Sequence, residues 1–219
     1  MLELRKCDLP KALLAGLGGL VCGLLFLAPE IAGAGSVVNP SAEDIVGGKP
    51  VGWGLYRGKG KARLCSSEDA RSGQASACLV AEEFGEWRGR RFLNCGLVLG
   101  SPDGYNGVEA YPTQGGRVYQ VSFWMKGDVP WVKAQTVCWR HEEATAQDRK
   151  QVTVLPGKLA PTGEWRRYSG SFVAPAGARR FALKWQVAGF AEEGMALGTL
   201  LVDDVEVIEM GNQKAAVAQ

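Results

Sequence analysis

Short apolar stretches, each bounded by a cluster of turn-forming residues, follow one another along this chain from residue 35 onward. Within them apolar and polar side chains alternate, as they do in strands with one buried face, and no segment keeps a helical period long enough to predict a helix. Turn sequences such as SPDG at 101–104 and APAG at 174–177 separate the stretches. This pattern predicts an all-β fold, an antiparallel β-sandwich or barrel. The predicted strands cover residues 51–56, 76–83, 91–99, 117–127, 131–140, 151–155, 165–173, 179–188 and 199–209.

The first 34 residues have the three parts of a secretory signal peptide. Arg5, Lys6 and Lys11 supply a basic start, residues 12–28 are apolar, and the small residues 32–34 offer a cleavage site. A retained membrane anchor is the alternative, but the apolar run is shorter than the roughly 20 residues that a spanning helix needs. We therefore expect a secreted, periplasmic or cell-surface protein, and membrane attachment only if this segment is retained.

The chain after residue 34 is long enough for one domain with a substantial core, which we predict to span residues 35–209. Residues 210–219 are small and polar and are predicted to form a disordered tail. The signal segment holds three basic and three acidic residues, so its removal leaves the net charge at +2. Nucleic-acid binding is not expected, because it usually requires a strongly basic balance.

Four cysteines follow the signal segment: Cys65, Cys78, Cys95 and Cys138. An even number of cysteines in an exported chain indicates two disulfides, for which three pairings exist. The preferred pairing joins Cys65 to Cys78 and Cys95 to Cys138. A zinc site is the alternative, but no two cysteines have CxxC spacing and His141 is the only histidine.

Five sequence elements occur in a characteristic order: VVNPSAEDIVGGKPVGWGL at 37–55, EDARSGQASACLV at 68–80, VYQVSFWMKG at 118–127, EWRRYSGSFVAP at 164–175 and LLVDDVEV at 200–207. Together they resemble the opening Glu motif, the Ser-Gly turn and the later strands of secreted bacterial carbohydrate-binding modules of the galactose-binding-like jelly-roll group. Such modules often accompany xylanases and glucanases. The resemblance implies that the sandwich is a jelly roll.

Asp203 and Asp204 are adjacent carboxylates in the middle of the last predicted strand, where alternation places Asp203 on one face with Leu201 and the later valines. A buried carboxylate without a partner is costly, so either this face is not the core or another group compensates the charge. The resemblance implies a structural calcium ion held by Asp203, Glu43 and Asp69, and calcium accepts about six to eight oxygen ligands. Compensation by backbone amides or by an arginine is the alternative.

Sugar binding requires flat aromatic faces for pyranose rings and planar polar groups for hydroxyls. One face of the strand at 131–140 has this composition, with two tryptophans separated by a lysine and a glutamine. The strand at 179–188 continues it if both strands lie in one sheet. The alternative is that the tryptophans cover the core or pack under loops. The predicted ligand-binding residues are Trp131, Gln135, Trp139, Lys184, Gln186 and Trp124.

Catalytic motifs are absent from the sequence. HEE at 141–143 lacks the second histidine of a zinc protease helix, and no nucleophile elbow, P-loop or dinucleotide fingerprint occurs. Asp203 and Asp204 diverge on a strand, so they cannot flank one glycosidic bond as a pair. We therefore expect a secreted, non-catalytic protein that recognises a polysaccharide or oligosaccharide. The alternative is a structural or adhesive component of the cell envelope, or of an extracellular assembly, that uses the same fold for protein contacts.

Overall fold

The structure is a computed structural model, and it describes residues 40–101, 110–141 and 148–212. The predicted signal peptide lies outside these ranges. In the described part of the chain no helix is long and apolar enough to cross a membrane. The strands are β1 (Ile45–Val46), β2 (Lys49–Pro50), β3 (Trp53–Lys59), β4 (Lys61–Ser67), β5 (Ser76–Glu83), β6 (Gly85–Trp87), β7 (Arg90–Leu99), β8 (Tyr111–Pro112), β9 (Arg117–Gly127), β10 (Lys133–Trp139), β11 (Arg149–Thr153), β12 (Arg166–Val173), β13 (Arg180–Phe190) and β14 (Gly198–Asn212), with a 3-10 turn at Ala191–Glu193.

Two antiparallel sheets form the body of the described chain, and β1 and β2 form a small separate hairpin. The seven-stranded sheet has the order β11-β10-β13-β7-β3, with β6 beside β7 and β8 beside β13. The five-stranded sheet has the order β12-β9-β14-β5-β4. β7 and β13 are neighbours in one sheet although they are far apart in sequence. The chain between them crosses to the five-stranded sheet, where it forms β9, and returns. The predicted all-β antiparallel sandwich is confirmed.

One face of each long strand points between the two sheets and forms the main core. Along β9 the alternate residues Tyr119, Val121, Phe123 and Met125 are buried there, as the alternation of β9 predicts. Trp185 of β13 contacts Phe123 edge to face, with ring centroids 5.3 Å apart. Burial of each large apolar side chain contributes about 1.5–3 kcal/mol, so this layer stabilises the sandwich.

A β-bulge in β14 changes which of its residues share a face. Between Asp203 and the next paired residue, β14 contains one more residue than β9, and Asp204 takes the left-handed conformation with φ 47°. Leu201 therefore lies with Asp203 on the outer side of the five-stranded sheet, whereas Val205 and Val207 enter the main core. The expectation that Asp203 shares a face with the later valines is wrong, because the extra residue interrupts the period of two.

The four cysteines are free thiols, and neither expected disulfide is formed. Cys95 and Cys138 lie on β7 and β10, which are separated by β13, so the topology excludes their pairing. Cys65 and Cys78 are directly opposite each other on β4 and β5, but the Cys65 thiol donates to the Cys78 carbonyl at 3.7 Å. Burial raises the pKa of the Cys95 thiol to about 12, which keeps it protonated at neutral pH.

The last strand continues beyond the predicted end of the domain. The sequence predicts a disordered tail from Met210 onward, but Gly211 and Asn212 pair with Val118 and Arg117 of β9. Residues 213–219 of the predicted tail lie outside the described residues.

Candidate functional site

The side of the seven-stranded sheet that faces away from the main core carries most of the predicted binding residues. Gln135 of β10 lies opposite Lys184 of β13, and Lys133 lies opposite Gln186. Residues opposite each other in an antiparallel pair share a face, so β10 and β13 present one continuous surface, as expected from sequence. We call this surface the outer face. It comprises Arg149, Gln151 and Thr153 of β11; Lys133, Gln135, Val137 and Trp139 of β10; Arg180, Ala182, Lys184, Gln186, Ala188 and Phe190 of β13; Arg90, Phe92, Asn94, Gly96 and Val98 of β7; Tyr56 of β3; and Trp87 of β6.

Planar polar side chains occupy the middle of the outer face. The Gln186 Nε2 donates to Asn94 Oδ1 at 2.6 Å, and the Asn94 Nδ2 donates to the Tyr56 hydroxyl at 3.3 Å. All three side chains are only partly buried. Nearby, the Gln135 Oε1 is buried and has no hydrogen-bond partner among the described residues. Native proteins leave few buried polar atoms unpaired, so this amide is a candidate to receive a hydrogen bond from a ligand.

An aromatic cluster, formed by Trp87, Phe92 and Phe190, borders the polar middle. The ring centroids of Phe92 and Phe190 are 4.7 Å apart, and Trp87 stacks on Phe190 at 5.6 Å. Trp87 remains 40% exposed, although the Arg88 guanidinium lies 4.7 Å from its ring centroid, so its ring is partly accessible to a ligand. The hairpin turn between β6 and β7 places it there, because Arg88 and Gly89 both have positive φ and close a tight reversal.

The sequence does not predict the aromatic cluster, because Trp87 and Phe190 lie outside the predicted strands at 76–83, 91–99 and 179–188. The signal was present nonetheless: Phe92 and Asn94 are alternate residues of one predicted strand, and Arg88-Gly89 is a turn sequence that joins Trp87 to that strand. Tyr56 was missed as well, since only the cross-strand register brings it beside Gly96 and within reach of Asn94.

Trp139 is the last residue of β10 on the outer face, and its side chain is 1% exposed. It packs in a second apolar cluster with Val98, Val137 and Ala182, on the side of the sheet opposite the main core. Its indole N–H is buried and has no hydrogen-bond partner within the described chain. The structure therefore places Trp139 in a packed interior, which is the alternative considered from sequence, and its ring offers no accessible face for a sugar.

Lys184 is also on the outer face, but it is 1% exposed. Its Nζ donates to Gln151 Oε1 at 3.0 Å and lies 4.7 Å from the centroid of the Tyr56 ring. Burial is the largest cause that lowers the pKa of this ammonium to about 8. Lys184 therefore lies buried beneath the polar side chains of the outer face, where its ammonium contacts Gln151 and the Tyr56 ring.

The two other predicted tryptophans lie in different places. Trp131 precedes β10 at the rim of the outer face, where its indole N–H donates to the Ala188 carbonyl at 3.1 Å. It packs partly against the main core, and the Lys158 Nζ lies 3.9 Å from its ring centroid. Trp124 lies on β9 of the five-stranded sheet, beneath the Arg71 guanidinium at 4.3 Å. It does not join the outer face.

Asp203 is fully buried on the outer side of the five-stranded sheet, and backbone amides surround its carboxylate. Its Oδ2 accepts hydrogen bonds from the backbone N–H groups of Arg71 at 2.7 Å and Ser72 at 3.2 Å. Its Oδ1 accepts a hydrogen bond from the backbone N–H of Asp204 at 2.8 Å. Burial raises the pKa of Asp203 to about 6, and these three amides oppose that rise. Both alternatives raised by the sequence hold, because this face is outside the main core and amides compensate the charge.

The three predicted calcium ligands have separate partners. Glu43 accepts hydrogen bonds from the backbone N–H groups of residues 74–75, and Asp69 forms an ion pair with Lys126 at 2.7 Å. Among the described residues no group of three or more His, Cys, Asp or Glu side chains could hold a metal ion. Each of the three carboxylates therefore has compensating partners without a metal ion, and calcium binding stays a prediction.

Comparison with known proteins finds similarity in structure alone. No family model matches the chain, and no curated protein sequence matches it. Two similar solved structures are the xylan-binding domains CBM22-1 and CBM22-2 from Paenibacillus barcinonensis Xyn10C, each with a TM-score of 0.50 and 14% identity. The match covers 78% of this chain and 92% of CBM22-1, and 74% of this chain and 94% of CBM22-2. The likeness shows that this chain has the sandwich fold of carbohydrate-binding modules.

Proposed function

We propose that this protein is a secreted, non-catalytic carbohydrate-binding protein that holds a polysaccharide or oligosaccharide chain along the outer face. The observation that supports this most strongly is that the exposed Trp87 ring shares the outer face with the amides of Asn94 and Gln186. An aromatic ring covers the apolar face of a pyranose, and a planar amide exchanges hydrogen bonds with its hydroxyls. The similar xylan-binding domains make carbohydrate the first class of ligand to test.

The spacing of these groups suits an extended ligand. Phe92 and Asn94 are two residues apart on β7, which places an aromatic ring and an amide about 7 Å apart along the strand. Gln186 lies beside Asn94 on the neighbouring strand, and Gln135 continues the amide row on β10. Sugar units that lie across these strands therefore meet aromatic and polar groups in succession.

Binding without cleavage is supported by the charges of the outer face. Glycosidases place two carboxyl groups around the bond that they cleave. Among the described strand residues of the outer face there is no aspartate or glutamate. The groups that remain can hydrogen-bond a sugar, but they supply no acid and base pair.

The substitution Gln186→Ala is expected to weaken binding to the recognised polysaccharide about tenfold, since it removes an amide that hydrogen-bonds both Asn94 and the ligand. A glycan array identifies the polysaccharide, and affinity electrophoresis in gels that contain it measures the change. Gln120→Ala is the matched control, because Gln120 is exposed on β9 of the five-stranded sheet. Equal retardation of the two variants, or an array on which the protein binds no glycan, contradicts the proposal.

One feature favours the alternative function, protein contact in an envelope or extracellular assembly. The β1–β2 hairpin exposes Val46 by 72% and Ile45 by 43%. Analytical ultracentrifugation over a range of concentrations tests this, and we expect a monomer. Self-association together with no glycan binding would favour the structural role.

A further inference from the structure

The Trp87 ring, which is proposed to stack on a sugar, already has a neighbour on each of its faces. Phe190 stacks on it, with ring centroids 5.6 Å apart and an angle of 20° between the planes. The Arg88 guanidinium lies over the same ring, 4.7 Å from its centroid. Because a stacked phenyl ring occupies the face that it contacts, the guanidinium covers the face that remains. A sugar that stacks on Trp87 therefore competes with Arg88.

The turn between β6 and β7 sets the position of Arg88. Trp87 pairs with Arg90, so Arg88 and Gly89 form a two-residue hairpin loop. Both have positive φ, 54° and 73°, as a type I′ turn requires. Glycine or asparagine is the usual residue at such a position, because other side chains are crowded against the backbone there. A long cationic side chain at this position breaks a local rule of turn formation, and such departures often mark functional positions.

Arg90, on the same hairpin, is held more firmly than Arg88. Its guanidinium lies 3.8 Å from the Phe190 ring centroid and pairs with Glu193 at 2.8 Å. Arg88 is exposed, and among the described residues its side chain forms no ion pair or hydrogen bond. A cation–π contact at an exposed site is weak, so the Arg88 guanidinium can leave the Trp87 ring at a small cost in free energy.

On the basis of the proposed function, we propose that Arg88 limits the affinity for carbohydrate by competing for the free face of Trp87. In the unbound protein the guanidinium covers this face. A pyranose that stacks there takes its place, and the guanidinium moves into solvent. The apparent affinity is then reduced by the fraction of molecules in which the face is covered.

Arg88→Asn tests this competition, because asparagine adopts the left-handed conformation and Asn-Gly is a favoured sequence for this turn. Calorimetric titration with xylohexaose and cellohexaose should show binding about three- to sixfold tighter than for the unaltered protein. If a glycan array selects another polymer, its hexasaccharide replaces these two probes. Arg91→Gln is the matched control, since it removes the same charge from β7, where Arg91 lies over Phe84 at 4.8 Å. It should leave the affinity unchanged.

A second comparison separates the ring from the turn, because an Asn-Gly sequence also stabilises the hairpin. In a Trp87→Ala background the face for which Arg88 competes is gone, so adding Arg88→Asn should leave the affinity unchanged. An equal gain in both backgrounds assigns the effect to the turn and overturns the inference.

NMR of the Arg88 Cδ protons gives a readout that does not depend on affinity. Protons above an indole ring are shifted upfield by its ring current. We expect this shift in the unbound protein, and we expect saturation with the hexasaccharide to remove it. Ordinary Arg88 shifts in the unbound protein would show that the guanidinium does not cover the ring, and they would overturn the inference.

The outcomes separate this inference from the proposed function. Equal hexasaccharide binding by Arg88→Asn and the unaltered protein overturns the inference and leaves the proposed function intact. Weaker binding by Arg88→Asn also overturns it and assigns Arg88 to the contacts with the sugar. Binding of no glycan by either protein, on the array or in titration, overturns both.

Discussion

Replacement of Trp139 by alanine is expected to lower the free energy of unfolding by about 3–5 kcal/mol. The ring is 1% exposed and packs against Val137 and Ala182 in the second apolar cluster, so its removal leaves a cavity on the outer side of the seven-stranded sheet. Urea denaturation followed by circular dichroism measures the loss. Binding by the folded fraction should change little, because the ring presents no accessible face.

Trp87→Ala is the matched control for this prediction. Trp87 is 40% exposed, so the substitution should change the free energy of unfolding by less than about 1 kcal/mol. It should nevertheless weaken glycan binding, since it removes the accessible ring. If Trp139→Ala kept its stability and lost binding, Trp139 would be a ligand contact and its assignment to the packed interior would be wrong.

The substitution Asp203→Ala is expected to cost about 3 kcal/mol of stability, because it leaves three backbone N–H groups without an acceptor. Two of them belong to Arg71 and Ser72, so the loss should also loosen the segment that covers Trp124. Thermal and urea denaturation measure the effect, and hydrogen exchange of the Arg71 and Ser72 amides reports on the segment.

Asp204→Asn is the control, because asparagine tolerates the left-handed conformation and keeps an acceptor for the hydroxyls of Ser41 and Ser72. It should cost less than about 1 kcal/mol. A chelator should leave the melting temperature of the unaltered protein unchanged, since amides compensate Asp203. A clear fall on chelation would instead support the calcium prediction.

Alternation along single strands was sufficient to predict the core rows and the shared face of β10 and β13. It predicted the burial of Tyr119, Val121, Phe123 and Met125 and placed Gln135 with Lys184, because both depend on the period of two alone. It could not predict which parts of a face are covered. Trp131 and Trp139 have the same parity, yet one remains partly exposed at the rim and the other is packed inside a second apolar cluster.

Non-local pairing accounts for the remaining differences. The bulge at Asp204 depends on the register between β14 and β9. Two adjacent aspartates in the sequence do not predict that register. The separation of Cys95 from Cys138 depends on the insertion of β13 between their strands, a crossover that cysteine spacing does not encode. Strand order and register are set by packing across the whole sandwich, and single-strand patterns contain neither.

The outer face of the seven-stranded sheet is the proposed binding surface for the carbohydrate. An NMR titration of the labelled protein with oligomers of the polysaccharide that the glycan array identifies tests this, because side-chain amide and indole N–H resonances report on single residues. We expect shifts of the Asn94 and Gln186 amides and of the Trp87 indole, with no change at Trp124. Shifts centred on Trp124 and the five-stranded sheet, with the outer face unaffected, would contradict it.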